Sequence, residues 1–243
     1  MDQKKPLGLS LIIPCFNEVK NIDPLLKKLE ALSSSVEFPI EVIVVDGNSD
    51  DGTDKVLKKR FSKLDSDIFS LILLESRKGY GFDILQGLEK AKYHVLAWTH
   101  ADLQTDVKDV VKAYQKLMSS RNSKIIIKGN RKNRRILDAV FTFGMQVVVF
   151  FYLGTYLKDI NAQPKVFTKD FYENYLRGGA PNDFSLDLYT LFIAKKNNYL
   201  IDTISVYFNQ RIHGEAKGGG GSWKNRLNLV KRTFKYIIKL SKY

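Results

Sequence analysis

The sequence predicts an α/β fold in which a mostly parallel central sheet is flanked by helices. Three observations support this prediction: short β-branched runs alternate with amphipathic stretches, the connections are short, and polar loops follow the runs. A chain of 243 residues is long enough for one large domain with a full core. The single cysteine, Cys15, excludes an intramolecular disulfide and is typical of a reducing compartment.

Strand and helix signals alternate through the first half of the chain. Apolar runs predict strands at residues 9–14, 40–45, 68–74, 93–99 and 125–127. Helices are predicted to open near residues 17–21, to start near Asp54, and to run over 81–92. In parallel sheets the ligand lies outside the carboxyl ends of the strands, so we expect the loops at 14–18, 46–53, 77–81 and 100–104 to meet at one edge.

The residues that follow the fourth strand have the chemistry of a metal site. His100, Asp102 and Gln104 alternate, and in an extended backbone they would share one face. A carboxylate and an amide oxygen suit Mg²⁺ or Mn²⁺, and an imidazole favours Mn²⁺. An ordinary strand end with solvated polar residues explains this segment equally well when it is considered alone.

Two segments suggest contact with a membrane surface. Residues 137–157 are apolar except for a narrow polar stripe at Asp138, Thr142 and Gln146. Their length is close to that of a membrane span, but the stripe favours a helix that lies in or dips into the membrane surface over a core helix or a full span. Residues 223–243 predict a basic amphipathic helix. Such a helix could bind anionic lipid headgroups, and it could equally be an ordinary surface helix that packs on the domain.

The net charge of +13 predicts a polyanionic partner, either nucleic acid, anionic lipid or a phosphorylated substrate. No interleaving of basic and aromatic residues typical of base stacking stands out in the sequence. We therefore expect an anionic membrane surface and phosphorylated ligands as partners, and no nucleic acid.

Four segments carry a family resemblance: residues 11–18 (LIIPCFNE), 44–53 (VVDGNSDDGT), 100–104 (HADLQ) and 211–217 (RIHGEAK). Together they resemble the inverting family 2 glycosyltransferases of the GT-A (Rossmann-like) fold, most closely the polyprenyl-phosphate (dolichol-phosphate) mannose and glucose synthases. The resemblance covers nearly the whole chain. It implies metal-assisted transfer of a hexose from a nucleotide sugar (a GDP- or UDP-hexose) to a polyprenyl phosphate, with Mn²⁺ or Mg²⁺, at the cytoplasmic face of a membrane.

The resemblance also implies roles for individual residues. The donor nucleotide would be bound by Pro14, Asn17, Glu18, Asp46, Lys78 and Gly79, and the metal by Asp102, Gln104 and His100. The phosphates of acceptor and donor would meet Arg131, Arg211 and Lys217, with Gln163 at the acceptor site. The family usually has acidic residues where this chain has His100 and Gly47, and these departures bear on the identity of the metal and of the base.

Two other functions remain open. A GT-A glycosyltransferase that acts on a sugar hydroxyl would need a general base, and Asp187 is the candidate. A basic membrane-binding module without catalysis is the third interpretation. For the domain organisation we expect a catalytic domain over 1–217 with an inserted interface helix at 137–157, a glycine-rich loop at 218–222, and the C-terminal helix at 223–243.

Overall fold

A computed structural model describes residues 6–133, 136–211, 213 and 223–242 of the chain. Within these residues, seven strands form one sheet in the order β3-β2-β1-β4-β6-β5-β7. Their bounds are β1 Leu9–Cys15, β2 Ile40–Asp46, β3 Phe69–Leu73, β4 Val95–Trp98, β5 Ile125–Lys132, β6 Lys165–Thr168 and β7 Leu200–Tyr207. Strand β6 pairs antiparallel with β4 and β5, and the other pairings are parallel. The predicted mostly parallel sheet is confirmed.

Helices cover both faces of this sheet. Their bounds are α1 Val19–Ser35, α2 Thr53–Phe61, α3 Tyr80–Lys90, α4 Lys108–Met118, α5 Ile136–Leu153, α6 Lys169–Phe171, α7 Leu186–Lys196 and α8 Trp223–Leu240, with a π-helical turn over Tyr172–Leu176 after α6. Helices α1, α2 and α4 pack on one face, and α3, α5, α7 and α8 contribute to the core on the other. Along β1, Leu11 and Ile13 belong to the first core and Ile12 to the second, as the two-residue repeat of a strand requires. Strands β1, β2 and β4 are therefore mostly apolar, because they are buried along their whole length.

Helix α5 is shorter than the predicted range of 137–157. It ends at Leu153 because Gly154 adopts a left-handed conformation (φ +62°) and its N–H donates to the carbonyl of Phe150 at 2.9 Å. Of the predicted polar stripe, only the Gln146 side chain belongs to the described part of the helix, and it is buried and accepts a hydrogen bond from the Tyr156 hydroxyl. Among the described helices, none combines the length and the apolar character that crossing a membrane requires.

Helix α8 also ends before the predicted boundary at residue 243. It stops at Leu240, and the N–H of Ser241 closes the last turn on the carbonyl of Ile237 at 2.9 Å. Ile237 and Leu240 are buried in the core, which fixes the face of the helix that contacts the domain. An edge-on contact between the rings of Tyr152 and Phe234 (centroids 5.3 Å apart) joins α8 to α5. The predicted glycine-rich loop at 218–222 lies outside the described residues.

Candidate functional site

A cavity of about 240 Å³ opens at the edge where the parallel strands end. The end of β1 and the loop after it contribute Pro14, Cys15, Phe16 and Glu18; the β3–α3 connection and the start of α3 contribute Arg77, Tyr80 and Asp83; and the loop after β4 contributes His100, Ala101, Asp102 and Gln104. The remaining walls are Arg131, Asn161, Phe184, Asp187, Phe208 and Arg211. Three of the four loops that the sequence places at this edge therefore line one cavity.

The predicted metal ligands His100, Asp102 and Gln104 all line this cavity, but not through strand alternation. Strand β4 already ends at Trp98, and Leu103 has a left-handed backbone (φ +59°), so a bent loop presents these residues. The expectation of an extended backbone is therefore wrong. Within the described residues, no group of three or more His, Cys, Asp and Glu side chains could hold a metal ion by itself.

Arg211 joins two acidic residues of the cavity. Its guanidinium donates to Glu18 Oε1 at 3.0 Å and to Asp102 Oδ2 at 2.8 Å. Burial raises the pKa of Glu18, while hydrogen bonds from Asn21 and Arg211 act to lower it. One arginine that follows β7 thus pairs with two carboxylates, which follow β1 and β4.

Two hydrogen bonds hold the segment that follows β7 against the loop that follows β4. The N–H of Asn209 donates to the backbone carbonyl of Gln104 at 2.8 Å, and Gln104 Nε2 donates back to the carbonyl of Asn209 at 3.1 Å. Arg211, two residues further on, is thereby positioned beside Asp102.

Asn17 and Asp46, both predicted to bind nucleotide, bind the β2–α2 loop instead of lining the cavity. Asn17 donates to Asp50 Oδ1 at 2.6 Å and accepts the N–H of Asp50 at 3.0 Å. Asp46 accepts the backbone N–H of Ser49 at 3.1 Å and also its hydroxyl. These contacts therefore hold the β2–α2 loop in place.

Lys78 and Gly79 lie beside the cavity and do not line it. The exposed Lys78 ammonium stands 4.7 Å from the centre of the Phe82 ring. Gly79 has φ +126°, and a Cβ at that position would collide with the backbone carbonyl oxygen of Asn182. The close approach of the chain before α7 therefore requires a glycine here.

In another part of the cavity wall, Arg131 forms a largely buried ion pair with Asp159. Asp159 accepts the backbone N–H of Arg131 at 2.8 Å and Nε–H at 2.9 Å, and Nη2 also donates to the carboxylate. Burial acts to raise the pKa of Asp159, but the contacts with Arg131 outweigh it and the pKa is lowered. The Arg131 guanidinium lies 5.1 Å from the centre of the Phe208 ring.

Beneath this wall lies a buried polar cluster around Asp187. Lys165, on β6, donates to Asp187 Oδ1, and Gln163 Nε2 donates to the same oxygen at 3.0 Å. Gln163 also donates to the hydroxyl of Tyr80 at 3.2 Å. The neighbouring Lys128 is buried, and this burial, with the charge of Lys165, lowers its pKa to about 7.

Residues 10–166, which hold the ends of β1, β2 and β4, match the family model described as Glycosyl transferase family 2. The chain belongs to this glycosyltransferase family. The resemblance inferred from its four segments and the prediction of an enzyme are thereby confirmed.

Two curated relatives match this glycosyltransferase over most of its length. It is 24% identical over 242 residues to the dodecaprenyl-phosphate galacturonate synthase of Rhizobium johnstonii, covering 98% of this chain and 67% of the relative. It is 27% identical over 231 residues to the dolichyl-phosphate beta-glucosyltransferase of Homo sapiens, covering 88% of this chain and 71% of the relative.

Solved structures confirm the fold class of the glycosyltransferase. A mannosyltransferase from Pyrobaculum calidifontis, in complex with GDP-Man and Mn²⁺, superposes with a TM-score of 0.66 at 18% identity, covering 97% of this chain and 65% of that chain. Glucosyl-3-phosphoglycerate synthase from Mycobacterium tuberculosis, with Mn²⁺, UDP and its product, gives a TM-score of 0.71 at 13% identity, covering 97% and 80%.

Several cavity residues of the glycosyltransferase were not singled out from its sequence. Arg77 and Tyr80 belong to the loop at 77–81, which is predicted to lie at the carboxyl edge of the sheet, and Asp83 follows it. The position of this loop was the only feature of the sequence that could have indicated these residues. Lys165, which contacts the cavity residue Asp187, could not be recognised as buried from the sequence. A lysine that opens a four-residue strand resembles a surface residue. Lys217, predicted to contact phosphate, lies outside the described residues.

Proposed function

We propose that this glycosyltransferase moves a hexose from a nucleoside diphosphate sugar to a polyprenyl phosphate, with inversion of the anomeric centre, at a membrane surface. The observation that carries the proposal is the pairing of Arg211 with Glu18 and Asp102 in a cavity whose other wall holds Arg131. Two guanidinium groups on separate elements suit two phosphorylated ligands. The names of the relatives, which include polyprenyl-phosphate sugar synthases, support the choice of acceptor.

The side chains of the cavity fit a divalent cation that binds together with the diphosphate of the nucleotide sugar. Asp102, His100 and Gln104 would supply a carboxylate, an imidazole and an amide oxygen, which are too few ligands for the cation on its own. Mg²⁺ sites commonly combine one or two carboxylates with phosphate oxygens, and imidazole favours Mn²⁺. When bound, the cation would stabilise negative charge on the departing diphosphate.

The chain's own residues provide the rest of the chemistry. As the bond between sugar and diphosphate breaks, negative charge grows on the leaving phosphate, and Arg211 is placed to donate to it. Arg131, held in position by Asp159, would bind the phosphate of the acceptor. Because an acceptor phosphate oxygen is already anionic, no general base has to remove a proton from it.

In this proposal the enzyme acts at the cytoplasmic face of a membrane and binds there as a peripheral or interfacial protein. Exposed aromatic residues on α5 and basic residues on α8 support this location. Phe150, Phe151 and Tyr152 are 50%, 78% and 46% exposed. The exposed residues of α8 include Lys231, Arg232, Lys235 and Lys239. Aromatic side chains beside a basic helix face suit an anionic lipid surface. In this proposal residues 1–217 form the catalytic domain, and 218–222 connect it to α8.

A transfer assay tests this function. Radiolabelled UDP- and GDP-hexoses are incubated with the detergent-solubilised protein, a polyprenyl phosphate and Mn²⁺ or Mg²⁺, and label in the lipid fraction is counted. The wild type should transfer label, and Asp102→Asn should abolish transfer while it still melts cooperatively. Asp109→Asn is the matched control, because Asp109 is a buried acid that pairs with Lys112 at 2.7 Å on α4, away from the cavity. Full activity in Asp102→Asn would contradict the proposed role of that carboxylate.

Transfer to a sugar hydroxyl is the second candidate, and the position of Asp187 in the cavity wall favours it. Such a reaction would need Asp187 as a base, although Lys165 and Gln163 both donate to one of its oxygens. The same assay distinguishes the two acceptors when a neutral polyprenol glycoside replaces the polyprenyl phosphate. Faster transfer to the neutral glycoside would favour the hydroxyl reaction.

A further inference from the structure

The Asp83 carboxylate is the feature of the cavity that the proposed reaction leaves without a role. Asp83 lies in the first turn of α3, is 1% exposed, and accepts a hydrogen bond from Arg77 Nη1 through Oδ2 at 2.5 Å. The Arg77 guanidinium is 4.2 Å from the centre of the Phe16 ring. Arg77 is thus fixed between a carboxylate and an aromatic ring, and all three residues line the cavity.

The other oxygen of Asp83 has no partner. Oδ1 is buried and accepts no hydrogen bond from the residues that the structure describes. Burial raises the pKa of Asp83 to about 6, against the lowering effect of Arg77, and the charge of Asp46 contributes to the increase. A buried acceptor without a donor is costly, and native structures retain one mainly where a ligand or a water supplies the donor.

Gly47, at the end of β2, makes room for this arrangement. A Cβ on Gly47 would lie 2.5 Å from Arg77 Nη1 and 2.6 Å from Asp83 Oδ2, so any side chain there would displace the ion pair. The preceding Asp46 cannot substitute for Asp83, because its carboxylate is engaged by the backbone N–H and the hydroxyl of Ser49. The acidic group that faces this end of the cavity therefore comes from α3.

A ligand that satisfies this site must place one N–H donor opposite Asp83 Oδ1 and an acceptor beside Arg77. Uracil does so with N3–H, which stands between two carbonyl oxygens. Guanine presents two adjacent donors, N1–H and the exocyclic amino group, and recognition of both by one carboxylate needs both oxygens. Asp83 Oδ2 is already bound by Arg77, so guanine would leave one donor without an acceptor.

We propose that Asp83 recognises the nucleobase of the donor and selects uracil over guanine, with N3–H donating to Oδ1 and Arg77 donating to a neighbouring carbonyl. This proposal rests on the proposed function, since it assumes that a nucleoside diphosphate binds in the cavity. It identifies the donor as a uridine diphosphate sugar.

Calorimetric titration of the full chain with nucleotides tests the proposal, with Mn²⁺ present throughout. The wild type should bind UDP about ten- to hundredfold more tightly than UDP methylated at N3, which has lost only the proton that Asp83 would accept, and more tightly than GDP and CDP. Asp83→Leu removes the acceptor, so it should bind UDP and N3-methyl-UDP within about threefold of each other. Asp109→Leu, which removes a buried acid on α4, should keep the wild-type preference.

Each outcome decides a separate question. Equal affinity of the wild type for UDP and N3-methyl-UDP, or tighter binding of GDP or CDP, would overturn the assignment of the base and leave the proposed function intact. A failure to bind any of the four nucleotides would overturn both. The comparison of UDP with its methylated form uses the wild type alone, so it stays decisive if Asp83→Leu does not fold.

Discussion

Removing one partner of the buried Lys165–Asp187 ion pair should destabilise this glycosyltransferase strongly. The two side chains are 0% and 4% exposed, and Lys165 also donates to the carbonyl of Ala162 at 3.3 Å. Burial lowers the pKa of Lys165, and the charge of Asp187 opposes that effect. In Asp187→Asn, the lysine would remain buried beside a neutral amide.

The size of the effect follows from this burial. Leaving one charge of a buried pair without its partner costs about 3–5 kcal/mol. For a chain of this length each kcal/mol lowers the melting temperature by about 2–4 °C. Asp187→Asn should therefore melt about 6–20 °C below the wild type. The double variant Lys165→Met/Asp187→Leu should lose much less, because neither charge remains.

Urea unfolding and thermal melting of the wild type, of the single variants Lys165→Met and Asp187→Asn, and of the double variant measure these losses. Lys58→Met is the control, because Lys58 and Asp54 are 60% and 30% exposed in their ion pair and removing the lysine should cost less than about 1 kcal/mol. If both single variants at 165 and 187 melt within 2 °C of the wild type, the reasoning from burial is refuted. Transfer activity, measured well below the melting temperature, then distinguishes a structural role of Asp187 as the partner of Lys165 from a role as a general base. With a phosphate acceptor, folded Asp187→Asn should keep its activity.

Further predictions concern Asp83, the proposed metal ligands and α5. The pKa of Asp83 is about 6, above its ordinary value of 3.8, so its contribution to stability is fully present below about pH 4 and is lost as the pH rises through 6. Between pH 4 and pH 8 the unfolding free energy should therefore fall by up to about 3 kcal/mol more in the wild type than in Asp83→Asn, and an equal fall would contradict the raised pKa. Mn²⁺, followed by electron paramagnetic resonance, should bind tightly only when UDP is present and not to Asp102→Asn, whereas equal binding without nucleotide would show a complete protein site. Phe150→Ser and Phe151→Ser should each weaken binding to anionic vesicles about tenfold in cosedimentation, while Met118→Ser, at an exposed position on α4, should not.

The first half of the fold could be predicted from the sequence because its signals are local. Strands β1, β2 and β4 are buried on both faces, so each appears as a mostly apolar run that ends in a polar loop. Strand β6 has no such signal. It has four residues, begins with a lysine, and exists because β4 and β5 pair with it from either side. Pairing between distant segments cannot be inferred from a short run alone.

The same distinction applies to the candidate site. His100, Asp102 and Gln104 were predicted to lie together because they follow one strand, and all three line the cavity although the backbone there is bent. Asp83 could not be predicted in this way, since an acid in the first turn of a helix is favourable in any helix and so indicates no ligand. Its significance depends on Gly47, which is 36 positions earlier and has no side chain to suggest a contact.

The contacts of Arg211 explain why the donor and the cation should bind together. Asp102 Oδ2 accepts a hydrogen bond from Arg211, so a cation bound by this carboxylate would compete with the arginine for it. A diphosphate resolves this competition, because its oxygens give Arg211 a new acceptor and free Asp102. Glu18, which also pairs with Arg211, would then keep the arginine beside the leaving phosphate. Arg211 thus pairs with two carboxylates of the cavity before the donor arrives and is available to stabilise the leaving group afterwards.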